Sequence, residues 1–211
     1  MIQQKTPPAC RKRAVQKRAE ETKSQILAAA IGLFSTFGYE GVSIRTVESQ
    51  ARVKRGLVAY HFGPKEELWK AAVDALFGDS NEMMIELATS MMDLAPEARS
   101  RAAIGAFVRF SAQRPEVSRL MVQEGRARSW RLDYLLEHYV RPRVDWITDA
   151  LGEKLDAHRH YMMLGAATFV FDVESECEAL FDVDPRTEEF ANDHANAVSD
   201  MISAMRAQSG D

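Results

Sequence analysis

Cysteine is scarce in this sequence of 211 residues. Cys10 and Cys177 alone form neither a disulfide framework nor a metal-ligand spacing, which points to a reducing compartment. Long apolar runs are missing too: none approaches the roughly 20 residues a bilayer span needs, and the N-terminus lacks the apolar core of a signal peptide. There is no glycine-rich phosphate loop, nucleophile elbow or paired-His zinc motif, so the common enzyme signatures are excluded. No segment alternates convincingly as a half-buried strand does, and no repeat is present. A soluble all-α chain of two small domains is expected, with no role in the membrane.

Charge is plentiful but unevenly placed. Residues 1–65 hold twelve Lys or Arg against four acids, a net of +8, so the remainder carries −12 within a whole-chain charge of −4. A basic head of this kind displaces counterions from phosphates, while an acidic body is repelled by them. Double-stranded DNA is therefore expected to be touched at one end only.

The head has its own helical grammar. Ile26, Ala30, Leu33, Phe34 and Phe37 recur at helical spacing and predict one buried face, ended by Gly38 and Gly41. Ser43 stands where an N-cap is wanted, with a second helix running to Ala51; Thr46 at the third position offers no capping box. A tight turn at Arg52 and Val53 leads to a third helix, from about Arg55 to Phe62, closed by Gly63 and Pro64. Two short helices joined this tightly and braced by a longer one make a helix-turn-helix.

Residues 22–68, roughly a quarter of the chain, resemble the TetR family of tetracycline-repressor-like bacterial regulators. The likeness rests on the Ile26-Leu27-x-x-Ala30 run, Phe34, the Phe37-Gly38-Tyr39 turn, Ser43 and Arg45. It continues through Ala51 to Val53, Gly56, Tyr60-His61-Phe62 and Lys65-Glu66-Glu67-Leu68. It implies a bacterial cytoplasmic repressor: an N-terminal helix-turn-helix domain and a larger helical domain for effector binding and dimerisation. Arg45, Lys54, Arg55, Gly56 and Leu57 then match positions facing base edges, and Ser43, Tyr60, His61 and Lys65 match positions holding phosphates. Three residues depart from the pattern: Arg52 replaces a turn glycine, Glu48 an alanine packed between helices two and three, and Lys54 a serine cap.

The expected domains are a basic disordered arm over 1–19, the helix-turn-helix over 20–66 and the helical body over 67–211. Proline and the run Arg11-Lys12-Arg13 with few apolar residues argue for the disorder. In the body, a helix after Pro64 breaks near Gly78 to Asn81, and others follow over about 81–94, 96–112, 115–126, 131–152, 158–181 and 185–207, with Pro142 kinking or restarting the fifth. The last two carry rich stripes: Met162, Ala166, Phe169, Val170, Val173 and Leu180 on one, and Phe190, His194, Val198, Met201 and Met205 on the other. We read them as a homodimer interface, a two-fold four-helix bundle, against the plainer alternative of an intramolecular core.

Phe107, Phe110, Met121, Trp130, Tyr134, His138 and Trp146 are candidate linings for a small, largely apolar or aromatic effector, although any one of them could simply fill the core. Glu174, Glu176, Cys177 and Glu178, with His158, His160 and His194 elsewhere, could suggest a metal. But positions 158 and 160 project about 200° apart on a helix, so a solvated acidic face is favoured and no metal or cofactor is expected. Two readings stay open beside a repressor of a palindromic operator: a DNA-binding module that recruits a protein, and a small-molecule carrier without specific DNA binding.

Overall fold

A computed structural model describes residues 8–91, 93–145 and 156–209. Every element in these stretches is helical. The chain divides into two compact units, Met1–Gly78 and Asp79–Asp211, and the division falls at Gly78 rather than near 66.

In the first unit, α1 spans Pro8–Gly41, α2 Ile44–Gln50 and α3 Leu57–Phe62, and α4 begins at Lys65. The expected disorder of the arm is not found from residue 8 onward, and residues 1–7 lie outside the described stretches. Pro8 starts the helix where its missing N–H costs nothing. From Arg11 to Lys23 no glycine or proline interrupts, and the pairs Lys17–Glu21 (3.9 Å) and Lys23–Glu20 (3.8 Å) sit at helical spacing.

Gly38, at φ 69°, kinks α1 as a side chain could not without strain. Ile26, Ala30, Leu33 and Phe34 are buried as their spacing predicts, with Val42, Val47, Ala51 and Val58 from the following elements. Phe37 is 61 % exposed: it is the last residue before the kink, and Phe34, stacked on Tyr39 at 6.0 Å, already fills the site. Leu68, Trp69, Ala72, Val73, Leu76 and Phe77 of α4 are buried as well, which explains why this unit runs past residue 66. Gly78 to Asn81 do not break α4; it continues to Ser90, because one glycine costs a helix only about 1 kcal/mol.

The second unit contains α5 (Pro96–Gln113), α6 (Pro115–Gly125), α7 (Trp130–Leu135), α8 (Ala157–Asp172), α9 (Glu174–Phe181) and α10 (Glu188–Ser209). Its core joins α5, α8 and α10 through Ile104, Val108, Ala112, Ala167, Phe171, Ala191, Ala195 and Val198. The expected single helix over 158–181 is two, parted at Val173 (φ −112°, ψ 35°). After α7 the chain passes through a π-helical turn, Leu136–Val140, where the Arg141 N–H bonds the Leu136 carbonyl, before resuming α-helix over 141–145. Pro142 has no N–H for the carbonyl four residues back, and the widened turn directly before it is how the helix passes the proline. No helix among the described residues is long and apolar enough to cross a membrane.

Candidate nucleic-acid interface

The Ser43 hydroxyl caps α2 by accepting the Thr46 N–H at 3.1 Å. Thr46 contributes after all, its own hydroxyl lying 2.8 Å from that of Ser43. At the other end of α2, Arg52 adopts φ 55°; its N–H bonds the Ser49 carbonyl (3.1 Å) and the Val53 N–H bonds the Glu48 carbonyl (3.0 Å). These two bonds are a Schellman closure, and they explain why the position is ordinarily glycine: a side chain in the left-handed region costs about 1–2 kcal/mol.

The turn delivers the reading elements outward. Arg45, Lys54, Arg55 and Gly56 are exposed, and Tyr60 is 80 % exposed, while Val47 and Val58 on the opposite faces are fully buried. Leu57 and His61 are half-buried, with the Tyr60 and His61 rings edge-on at 5.0 Å. Arg55 lies in the turn ahead of α3 rather than opening it, since α3 starts at Leu57 behind Gly56 at φ 89°. Lys65 holds its ammonium 4.0 Å from the centroid of the Tyr39 ring, which positions this cation beside the kink of α1.

Glu48 was underrated by sequence reasoning. Standing where the family pattern has an alanine, it is 6 % exposed, and its carboxylate accepts the Gly56 N–H at 2.6 Å. The available signal was the coincidence of two departures: an acid where α2 faces the next helix, and a missing serine at position 54.

In the second unit the candidate effector residues differ in burial. Phe110 is buried, and Phe107 packs against the core of α5, α8 and α10. Met121 is half-buried, and Trp130 is partly exposed with the Arg131 guanidinium 5.7 Å from its ring centroid. Tyr134 and His138 come together, their rings stacked at 4.1 Å, and His138 Nδ1 donates to the Tyr134 carbonyl at 2.9 Å. Trp146 lies outside the described residues. Beside this group Arg131 Nε donates to the buried Glu124 carboxylate at 2.7 Å, an ion pair that helical periodicity does not reveal.

The expected dimer residues divide likewise. Met162, Phe169, Leu180 and Met201 are exposed on the single chain. Val198, Ala166, Val170 and Phe190 belong to the core of the unit, which claims the inner half of each stripe. His194 is also internal, its Nε2 donating to the Ala166 carbonyl at 2.8 Å and its ring stacked on Phe190 at 5.9 Å. Val173 and Met205 are half-buried, the former at the break between α8 and α9. Among the described residues no group of three or more His, Cys, Asp or Glu could hold a metal ion. Glu174 instead approaches Arg119 (3.5 Å) and Arg186 (2.9 Å).

Comparison with known proteins gives the same picture of the head. Residues 26–72 match the family described as bacterial regulatory proteins, tetR family. An HTH-type transcriptional repressor of Mycobacterium tuberculosis, Rv3405c, is 39 % identical over 71 residues, which are 34 % of this chain and 38 % of the relative. The match thus spans little over a third of that relative's length. Among solved structures, HlyIIR, a hemolysin II transcriptional regulator, superposes with a TM-score of 0.61 at 20 % identity, covering 86 % of this chain and 98 % of the other. FadR of Bacillus subtilis in complex with stearoyl-CoA gives 0.61 at 16 % identity, covering 84 % and 96 %. At such identity these two likenesses establish the shared fold. The chain is all-α, with a larger helical body and a helix-turn-helix head whose residues 26–72 match the TetR family.

Proposed function

We propose that this chain is a TetR-family regulator that binds a palindromic DNA operator as a homodimer and that a small, largely apolar or aromatic effector releases it. The observation that carries the DNA part is the two-sided character of α2, α3 and the turn between them: Val47 and Val58 are buried, while Arg45, Lys54, Arg55 and Tyr60 stand out in solvent. An exposed arginine at the head of a recognition helix can pair bidentately with guanine, and the neighbouring lysine and tyrosine fit phosphate contacts. Two such heads on one dimer would address half-sites about 34–36 Å apart.

Dimerisation is supported by the outward side chains Met162, Phe169 and Leu180, apolar area that a monomer ordinarily covers. The effector is supported by the stacked Tyr134 and His138 at the π-helical turn, since such turns recur at functional sites. The acyl chain carried by FadR fits an apolar effector as well. A ligand there acts only through its different affinity for the DNA-bound and free forms.

The test is selection of bound sequences from a random duplex pool by the full-length protein at near-physiological salt. Enrichment of a motif with two-fold symmetry is the expected result. Binding that merely fades as salt rises, with nothing enriched, would overturn the operator and favour a carrier or a module that recruits a protein partner.

A further inference from the structure

We propose that Glu48 is a positioning residue for DNA readout: reaching across from α2, its carboxylate caps the start of the recognition helix α3 and leaves position 54 free for a phosphate-seeking lysine. The inference rests on the DNA-binding reading above. It begins with an anomaly, because α3 has no side-chain cap of its own and the residue flanking it is a left-handed glycine. A helix of six residues cannot hold itself together in water, so its orientation depends on the ties at its ends.

Glu48 supplies such a tie twice over. Its backbone carbonyl accepts the Val53 N–H at 3.0 Å, and its carboxylate accepts the Gly56 N–H at 2.6 Å, so one residue holds both ends of the turn between the two helices. With Glu48 only 6 % exposed as a residue, losing the bond would leave its carboxylate and the Gly56 N–H with few replacements. An ionised acceptor also makes a shorter and stronger bond than a hydroxyl does, and a negative charge at a helix start is favourable.

The same N–H is the one a serine at position 54 would take, since an N-cap hydroxyl accepts from the second or third residue after it. Glu48 therefore substitutes for that serine from outside the helix. Lys54, relieved of capping, is exposed beside Arg55 on the face that meets DNA. The departures from the family pattern at 48 and 54 are one exchange, in which the cap moves to a neighbouring helix and the vacated position gains a positive charge.

The experiment compares full-length wild type, Glu48→Ala, Glu48→Gln, Lys54→Ser and the double variant Glu48→Ala/Lys54→Ser. Affinity is read on the selected duplex and on a scrambled duplex across a salt range, and Gly56 amide exchange is read in the protein without DNA. Alanine is the family's own residue at 48, so that variant folds. Glu48→Ala is expected to lose about tenfold in the ratio of selected to scrambled affinity, with the salt slope unchanged, and to expose the Gly56 amide to faster exchange. Glu48→Gln, which retains an acceptor, keeps the amide protected. The double variant is expected to regain both discrimination and protection while its salt slope falls by about 1.

Unaltered Gly56 exchange in Glu48→Ala would overturn the cap. Discrimination lost in Glu48→Ala and not restored in the double variant would overturn its link to position 54. If wild type enriches no duplex, the DNA reading fails, and Gly56 exchange still decides whether Glu48 caps α3.

Discussion

In the first unit Trp69, Phe34, Phe77 and Ile26 are fully covered, and the outer faces of α2, of α3 and of the turn between them are left to Arg45, Tyr60, Lys54 and Arg55. In the second, Phe171 and Val108 are just as deeply buried, yet α8 and α9 leave Tyr161, Met162, Phe169, Leu180 and Phe181 in solvent. Phe37 and Tyr60 are exposed rings in the head, but they stand on separate helices. The difference teaches where each unit's architecture is completed. The head closes its core within one chain and presents charge, whereas the body closes a core and still leaves these large apolar side chains in solvent, which is where the proposed dimer contact would form.

The largest expected effect breaks the two faces of α8 apart. Phe171→Ala empties a fully buried site and is expected to cost about 3–5 kcal/mol in denaturant unfolding. Phe169→Ala, two residues away and 62 % exposed, is expected to shift monomer stability by less than about 0.5 kcal/mol while weakening self-association in sedimentation. Equal destabilisation by both, with association unchanged, would remove the distinction between core face and partner face.

Next in size is the buried ion pair of the body. Arg131→Met leaves the Glu124 carboxylate without its 2.7 Å partner in a nearly dry setting, and a loss of roughly 3 kcal/mol is expected. The paired change, Arg131→Met with Glu124→Leu, should recover most of it, because burying apolar groups of similar volume avoids the desolvation of both charges. Failure to recover would mean that Arg131 acts through its packing near Trp130 rather than through charge.

On the head the effects are smaller and divide by kind. Arg55→Ala is expected to cost about 1–3 kcal/mol at particular base pairs, whereas Lys65→Ala weakens all sequences about equally and lowers the salt slope by about 1. Loss of specificity in the same pattern from both would erase the division between base reading and phosphate holding. Arg52→Gly, which removes a side chain from the left-handed region at φ 55°, is expected to stabilise the unit by about 1 kcal/mol against thermal unfolding.

The contrast between the units also governs how much could be read from the chain. The head is built from local signals, a serine cap, glycines at 38 and 63 and short apolar periods, so the ends of α1 and α3 and the whole of α2 were legible, whereas the start of α1 at Pro8 and that of α3 at Leu57 were not. What escaped there was the bond between Glu48 and Gly56, eight positions apart, because spacing cannot say which side chain crosses between two short helices. In the body the periodicity of α8 and α10 was visible, but a stripe does not announce which half meets its own chain. Val198 and Phe190 went inward and Met162 outward through the packing of α5, which no local rule contains. The break at Val173 was hidden for the same reason: no glycine or proline marks it.

The subtlest way to sharpen the comparison is by pH, through one group in the body. Burial pushes the His160 imidazole below its ordinary value of 6.5, and its Nδ1 is buried without a hydrogen bond near the start of α8. The folded state therefore binds the proton less readily than the unfolded chain does. His160 stabilises the body fully above the unfolded value, and that contribution is lost as pH falls through the depressed folded value. The thermal stability of the body is expected to fall on acidification below about pH 6.5, the unfolded value, with part of the slope removed by His160→Asn. The carboxylate of Asp156, held down by the Arg159 N–H it caps, responds only at much lower pH, so the two are separable in one titration. A slope that survives in His160→Asn would assign the response to other groups. A slope of opposite sign would mean that the imidazolium, not the neutral ring, is the form the fold prefers.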